Sequence, residues 1–145
     1  MKVVVAGPGL MGSQIGCEWA LAGHQVTFLV NRPAEAERRI AAAIDLIRTL
    51  GLWPEAAVEA LPGLLSPAAT LDEIPPDADL VLESIVEDAE PKIDLLRLVA
   101  ARFPSAILAS NTSAIPITTL GNGSGVPERV VGMHYWNPPL LMPLV

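Results

Sequence analysis

The hydrophobic pattern changes period along the chain, and each change marks an element. Val3-Val4-Val5-Ala6 is a short β-branched run of the kind buried on both faces of a parallel sheet. Glycines follow at 7, 9 and 12, and from Leu10 to Ala22 apolar residues recur at helical spacing through Met11, Ile15 and Trp19. Gly12 and Gly16, one turn apart, predict a helix lying close on its sheet, and Gly23 predicts a left-handed cap. Gln25 to Val30 reads as a second strand. Pro33 opens a second helix with an inner stripe of Ile40, Ile44, Ile47 and Leu50, which Gly51 closes.

Pro54, Pro62 and Pro67 then divide the chain into short pieces. A short helix over 55–61, a brief edge strand over 68–71 and a turn at Pro75-Pro76 are expected there. Asp79 to Ser84 is a buried strand, 89–101 a helix with Ile93, Leu96 and Ala100 inward, and Ser105 to Ala109 another strand. Ile117 to Leu120 predicts one helical turn, Gly121 to Gly125 a mobile loop, and Arg129 to His134 the last strand. Strands alternating with helices need right-handed crossovers. The expected fold is therefore a doubly wound, Rossmann-type α/β domain over 1–145, its mostly parallel sheet flanked by helices on both faces.

Composition narrows the functional classes. The chain has 145 residues, a formal charge of -7, nine Lys and Arg together, and one cysteine. Such an acidic chain lacks the basic surface of a nucleic-acid or anionic-membrane binder. No run is long enough for a membrane helix, and nothing in the pattern calls for a metal. The lone Cys17 excludes an internal disulfide and suits a reducing compartment, so a cytoplasmic location and a buried, unreactive thiol are expected.

Ligands of doubly wound sheets bind beyond the carboxyl ends of the strands, so the polar residues at those ends are the candidates. Gly7-Pro8-Gly9-Leu10-Met11-Gly12, between a strand and a helix, has the G-x-G-x-x-G spacing that seats a dinucleotide pyrophosphate on a helix N-terminus. The second strand ends at Val30, where an acid would bind the adenosine ribose, and Asn31 and Arg32 follow. Losing that acid and gaining an arginine favours a 2′-phosphate, hence NADP; Asn31 contacting the ribose hydroxyls alone is the other reading. Glu87 and Lys92 flank the fourth strand's exit, where helix-dipole chemistry also explains an acid. Ser110 to Ser113 supplies four hydrogen-bonding side chains, which an ordinary turn would also do. His134, with Asn137 three residues on, is the candidate base, whereas His24, just after Gly23, is expected to be structural.

Taken together, Gly7 to Gly12, Glu83 to Asp88 with Lys92, Ala109 to Ser113, Pro127 to Arg129 and Gly132 to Pro138 resemble the nucleotide-binding domain of L-3-hydroxyacyl-CoA dehydrogenases over essentially the whole chain. The resemblance implies an NAD-dependent oxidation of a 3-hydroxyl to a ketone, as in fatty-acid β-oxidation, with a hydroxyacyl-CoA as substrate. It implies that Gly7, Gly9 and Gly12, with Leu10 and Met11, hold the pyrophosphate. Glu87 and Lys92 would meet the nicotinamide half, and Ser110 would touch cofactor and substrate. His134 would be the base and Asn137 would position the substrate. It also implies a glutamate just past Val145 that orients the histidine, and a helical C-terminal domain for dimerisation and cleft closure. Both lie outside this chain, so weak activity alone and self-association through the apolar Leu140, Leu141, Met142, Leu144 and Val145 are expected. An NAD(P)-binding regulatory module, and a dehydrogenase of another hydroxy acid or alcohol, are the alternatives. The second draws on Tyr135-Trp136 and Pro138-Pro139, which depart from the family's commoner residues.

Overall fold

Residue by residue, β1 (Lys2–Ala6) shows how the sheet is sealed on both sides. Val3 and Val5 point into one apolar cluster with Ile15, Val26 and Phe28, while Val4 points into a second with Val81, Leu96, Val99 and Leu108. That two-residue alternation is the pleat of a strand covered on both faces. In the computed structural model, which describes residues 1–142 and 144–145, β1 lies centrally in a parallel six-stranded sheet of order β3-β2-β1-β4-β5-β6. Pro143, inside the apolar run at the end of the chain, lies outside the described residues.

The first face is covered by α1 (Leu10–Leu21), α2 (Pro33–Leu50) and α3 (Glu55–Leu64), the second by α4 (Ala89–Arg102) and α5 (Ile117–Ser124). The other strands are β2 (Gln25–Leu29), β3 (Leu65–Ala68), β4 (Leu80–Glu83), β5 (Ile107–Ser110) and β6 (Val130–Gly132). The Rossmann-type expectation is met, and the reversal of strand order falls between β1 and β4. Cys17 is fully buried, and burial pushes its thiol up to about 12. His24 sits at the opposite end of the sheet from the glycine turn, its Nδ1 3.2 Å from the terminal amine and its ring beside Trp19.

Three expectations are corrected. The edge strand is Leu65–Ala68, three residues earlier than the composition suggested, because α3 continues through Pro62 to Leu64 and hands over directly to it. Pro67 is tolerated since β3 pairs on one side only. The expected last strand shortens to Val130–Gly132. Most changed is the glycine-serine stretch: Gly121 to Ser124 is the second half of α5, and only Gly125 leaves it, at φ 83°. A Cβ on Gly123 would stand 2.6 Å from the Ile93 side chain of α4, and one on Gly121 3.2 Å from Pro127. These glycines are packing surfaces.

Candidate cofactor and catalytic site

At the carboxyl end of β1 the chain turns through Gly7, whose φ of 90° suits glycine, into α1. Gly12 lies against this turn so closely that a Cβ would fall 2.2 Å from the Gly7 carbonyl oxygen. Gly9 is the N-cap of α1 and no side chain caps the helix. The first N–H groups of a helix have no partner within it, so they face outward with the positive end of the dipole. A groove of about 270 Å³ opens there, lined by Gly7, Pro8, Gly9, Val30, Asn31, Arg32, Glu35, Ala36 and the 84–86 segment. A Cβ on Gly9 would meet nothing within 4 Å, so the turn presents bare backbone to the groove. These features fit a dinucleotide phosphate.

Along the groove, Val30 is only 3% exposed and apolar neighbours back it. Arg32 is largely exposed, with a 3.4 Å contact to Glu35 that is too long and too wet to fix it. Its guanidinium is therefore available to a ligand phosphate at this end of the groove.

Beyond β4 and β5 lies a second cluster, centred on a residue whose role the sequence left unassigned. Glu83 is fully buried. Its Oε1 accepts from Lys92 Nζ at 2.5 Å and from the Ile85 N–H at 2.7 Å, and its Oε2 accepts from the Ser110 hydroxyl at 2.5 Å. Lys92 is 1% exposed and Ser110 is 0% exposed. Both polar groups turn inward: Ser110 donates to Glu83 and accepts from the Thr112 N–H at 3.3 Å, and Lys92 lies between Glu83 and Glu87. An acid at the end of an otherwise apolar strand, with a lysine nine residues on, was the available signal.

Glu87 stands over this pair and is partly exposed. Its Oε1 accepts from Thr112 Oγ1 at 2.6 Å and from the N–H groups of Ser113 and Ala114 at 2.8 and 3.2 Å, and its Oε2 lies 3.3 Å from Lys92 Nζ. Burial pushes the carboxyl up, but these hydrogen bonds outweigh it and hold its pKa at about 2. Glu87 is therefore ionised.

His134 is half-buried beside this turn. Its Nε2 is 3.1 Å from Ser113 Oγ, and its ring is 5.9 Å from that of Trp136. Its backbone is clamped on both sides: Met133 N–H donates to the Ser110 carbonyl at 2.9 Å and Tyr135 N–H to Asn111 Oδ1 at 2.8 Å. The Tyr135 hydroxyl accepts from Trp19 Nε1 at 3.0 Å, tying the segment to α1. Asn137 is exposed just beyond, before a cis bond to Pro138. The structure thus gathers Glu87, Ser113 and His134 at one end of the sheet, with the Gly7 to Gly12 turn at the same end.

Known proteins resemble this chain over nearly its whole length. The family model for the 3-hydroxyacyl-CoA dehydrogenase NAD binding domain matches residues 2–145. A 3-hydroxybutyryl-CoA dehydrogenase of Mycobacterium tuberculosis is 37% identical over 99% of this chain and 52% of its own length. An L-carnitine dehydrogenase of Streptomyces griseus is 36% identical over 99% of the chain and 43% of its own. The crystal structure of a 3-hydroxybutyryl-CoA dehydrogenase from Escherichia coli superimposes with a TM-score of 0.89 at 32% identity, covering 98% of this chain and 31% of that one. The chain spans about half the length of the curated relatives it matches.

Proposed function

Because the chain belongs to the family of 3-hydroxyacyl-CoA dehydrogenase NAD-binding domains, we propose that it is the cofactor-binding half of an enzyme that oxidises the 3-hydroxyl of a hydroxyacyl-CoA to a ketone. The observation that carries this reading is the juxtaposition, at one end of the sheet, of the uncapped α1 N-terminus with the clamped His134. When bound, the nicotinamide cofactor supplies the hydride acceptor. The chain's own residues do the rest. Gly7, Gly9 and Gly12, with the N–H groups of Leu10 and Met11, hold the pyrophosphate. His134 takes the hydroxyl proton, Ser113 meets its Nε2, and Asn137 positions the substrate. Ser110 and Lys92 act from beneath, through Glu83 and Glu87.

In this reading the substrate cleft is completed by the helical domain that the family resemblance implies. The isolated 145-residue chain then binds cofactor and turns over 3-hydroxybutyryl-CoA poorly, and a separately expressed helical domain from a relative restores NADH production. Full turnover by the chain alone contradicts this. Binding with no restoration favours the regulatory module. The likeness to the carnitine dehydrogenase makes a hydroxy acid outside the CoA esters the second substrate class for the same assay.

Apolar Val30 and exposed Arg32 support NADP alongside NAD. The expected result is that NADPH binds as well as NADH and that Arg32→Ala weakens NADPH selectively; a wild type that binds NADH alone, or an equal loss of both, overturns it. The protein works in the reducing cytoplasm, where Cys17 stays a thiol, and self-associates through exposed Leu141, Met142, Leu144 and Val145. Leu140, buried with Tyr135, takes no part. Light scattering that shows only monomer at high concentration contradicts the association.

A further inference from the structure

The charged cluster beyond β4 and β5 has an uneven balance. Lys92, 1% exposed, stands between two carboxylates, the buried Glu83 and, at 3.3 Å, Glu87, so one cation faces two anions and one negative charge is left over. What remains at the surface is Glu87, with 43% of its side chain exposed. The neighbouring Asp88 side chain accepts from Glu90 N–H as the N-cap of α4 and adds no positive charge. His134 Nε2 faces the hydroxyl of Ser113, and the backbone N–H of Ser113 donates to Glu87. Among the described residues, the cluster therefore presents a fixed negative charge.

Topology says which half of a dinucleotide meets it. The glycine turn of β1 takes the pyrophosphate, and the groove running past Val30, Asn31 and Arg32 over β2 takes the adenosine side. The other half must extend across the switch point, over β4 and β5, toward Glu87. A nicotinamide ring is cationic when oxidised and neutral when reduced. We propose that Glu87 makes this site discriminate between the two redox forms, favouring the oxidised, positively charged ring. The proposal rests on the dinucleotide reading above. The carboxylate is preorganised for this task because three donors fix one oxygen, so it has no need to reorient when a ligand arrives.

The test is a set of titrations of the full chain with NAD⁺, NADH and ADP-ribose, which lacks the nicotinamide ring. Glu87→Gln keeps an acceptor for the Thr112, Ser113 and Ala114 donors while removing the charge. The expected result is that Glu87→Gln weakens NAD⁺ by about tenfold, the scale of one charge pair at a partly exposed site, and leaves NADH and ADP-ribose within about twofold. Glu87→Asp, which keeps the charge, retains preference for NAD⁺ relative to Glu87→Gln. Equal effects on NAD⁺ and NADH, or none, overturn the proposal while leaving the dinucleotide reading intact. Failure of the wild type to bind ADP-ribose overturns that reading as well. Should Glu87→Gln lose ADP-ribose binding through a damaged turn, the wild type decides: NADH bound more than about tenfold tighter than NAD⁺ contradicts a site tilted toward the oxidised form.

Discussion

At Glu87 one carboxylate oxygen gathers three donors from the turn after β5, and this makes the turn acid-sensitive. The folded-state pKa, about 2, lies below the ordinary value of 4.5, so the stabilisation is present above about 4.5 and is lost as pH falls toward 2. Its size is reduced by the solvent around a partly exposed group. Thermal melts of the wild type should therefore decline through that window more steeply than melts of Glu87→Gln. Beneath it, Lys92→Met strands the buried Glu83 carboxylate and should cost about 3–5 kcal/mol in urea unfolding, whereas adding Glu83→Gln should recover part of the loss. An equal loss in single and double variants contradicts the pairing. The sequence displayed Glu87, Lys92, Ser110 and His134 as polar residues at strand ends, because that needs only strand order. It could not display that Glu83 would take the Lys92 and Ser110 donors, or that Ser113 would meet His134, because those pairings depend on how β4, β5 and the 133–135 segment come together.

Elements with a strong apolar period were legible. β1, α1, α2, β4 and α4 lie where alternation or helical spacing placed them, since burial enforces those periods. α5 was obscured because Gly121, Gly123 and Ser124 have turn-forming composition, and only the closeness of α4 explains why small residues occupy a helix. Gly123→Ala should accordingly lower stability by about 1–3 kcal/mol through overpacking against Ile93, despite alanine's better helix propensity. A stabilised variant contradicts this account. Arg129 is a second element-scale device that no local pattern reveals. Its guanidinium donates to the carbonyls of Ala100, Phe103, Pro104 and Ala106, closing the C-terminus of α4 and the approach to β5 from 25 residues away or thereabouts along the chain.

Across the whole molecule, a sheet with helices on both faces leaves its carboxyl edge as the place where backbone donors, an ionised acid and a histidine come together. We propose that this edge binds a dinucleotide through the Gly7 to Gly12 turn. Gly9 offers a clean test, because its Cβ position is open and its φ of -74° is available to any residue. Gly9→Asp places a carboxylate in the groove at an N-cap position where aspartate is compatible with the helix. The decisive measurement is a fluorescence titration of both proteins with NADH: the wild type binds saturably, and Gly9→Asp binds at least about tenfold more weakly with an unchanged melting temperature. A wild type that does not bind, or a Gly9→Asp protein that binds equally well, would contradict the proposal.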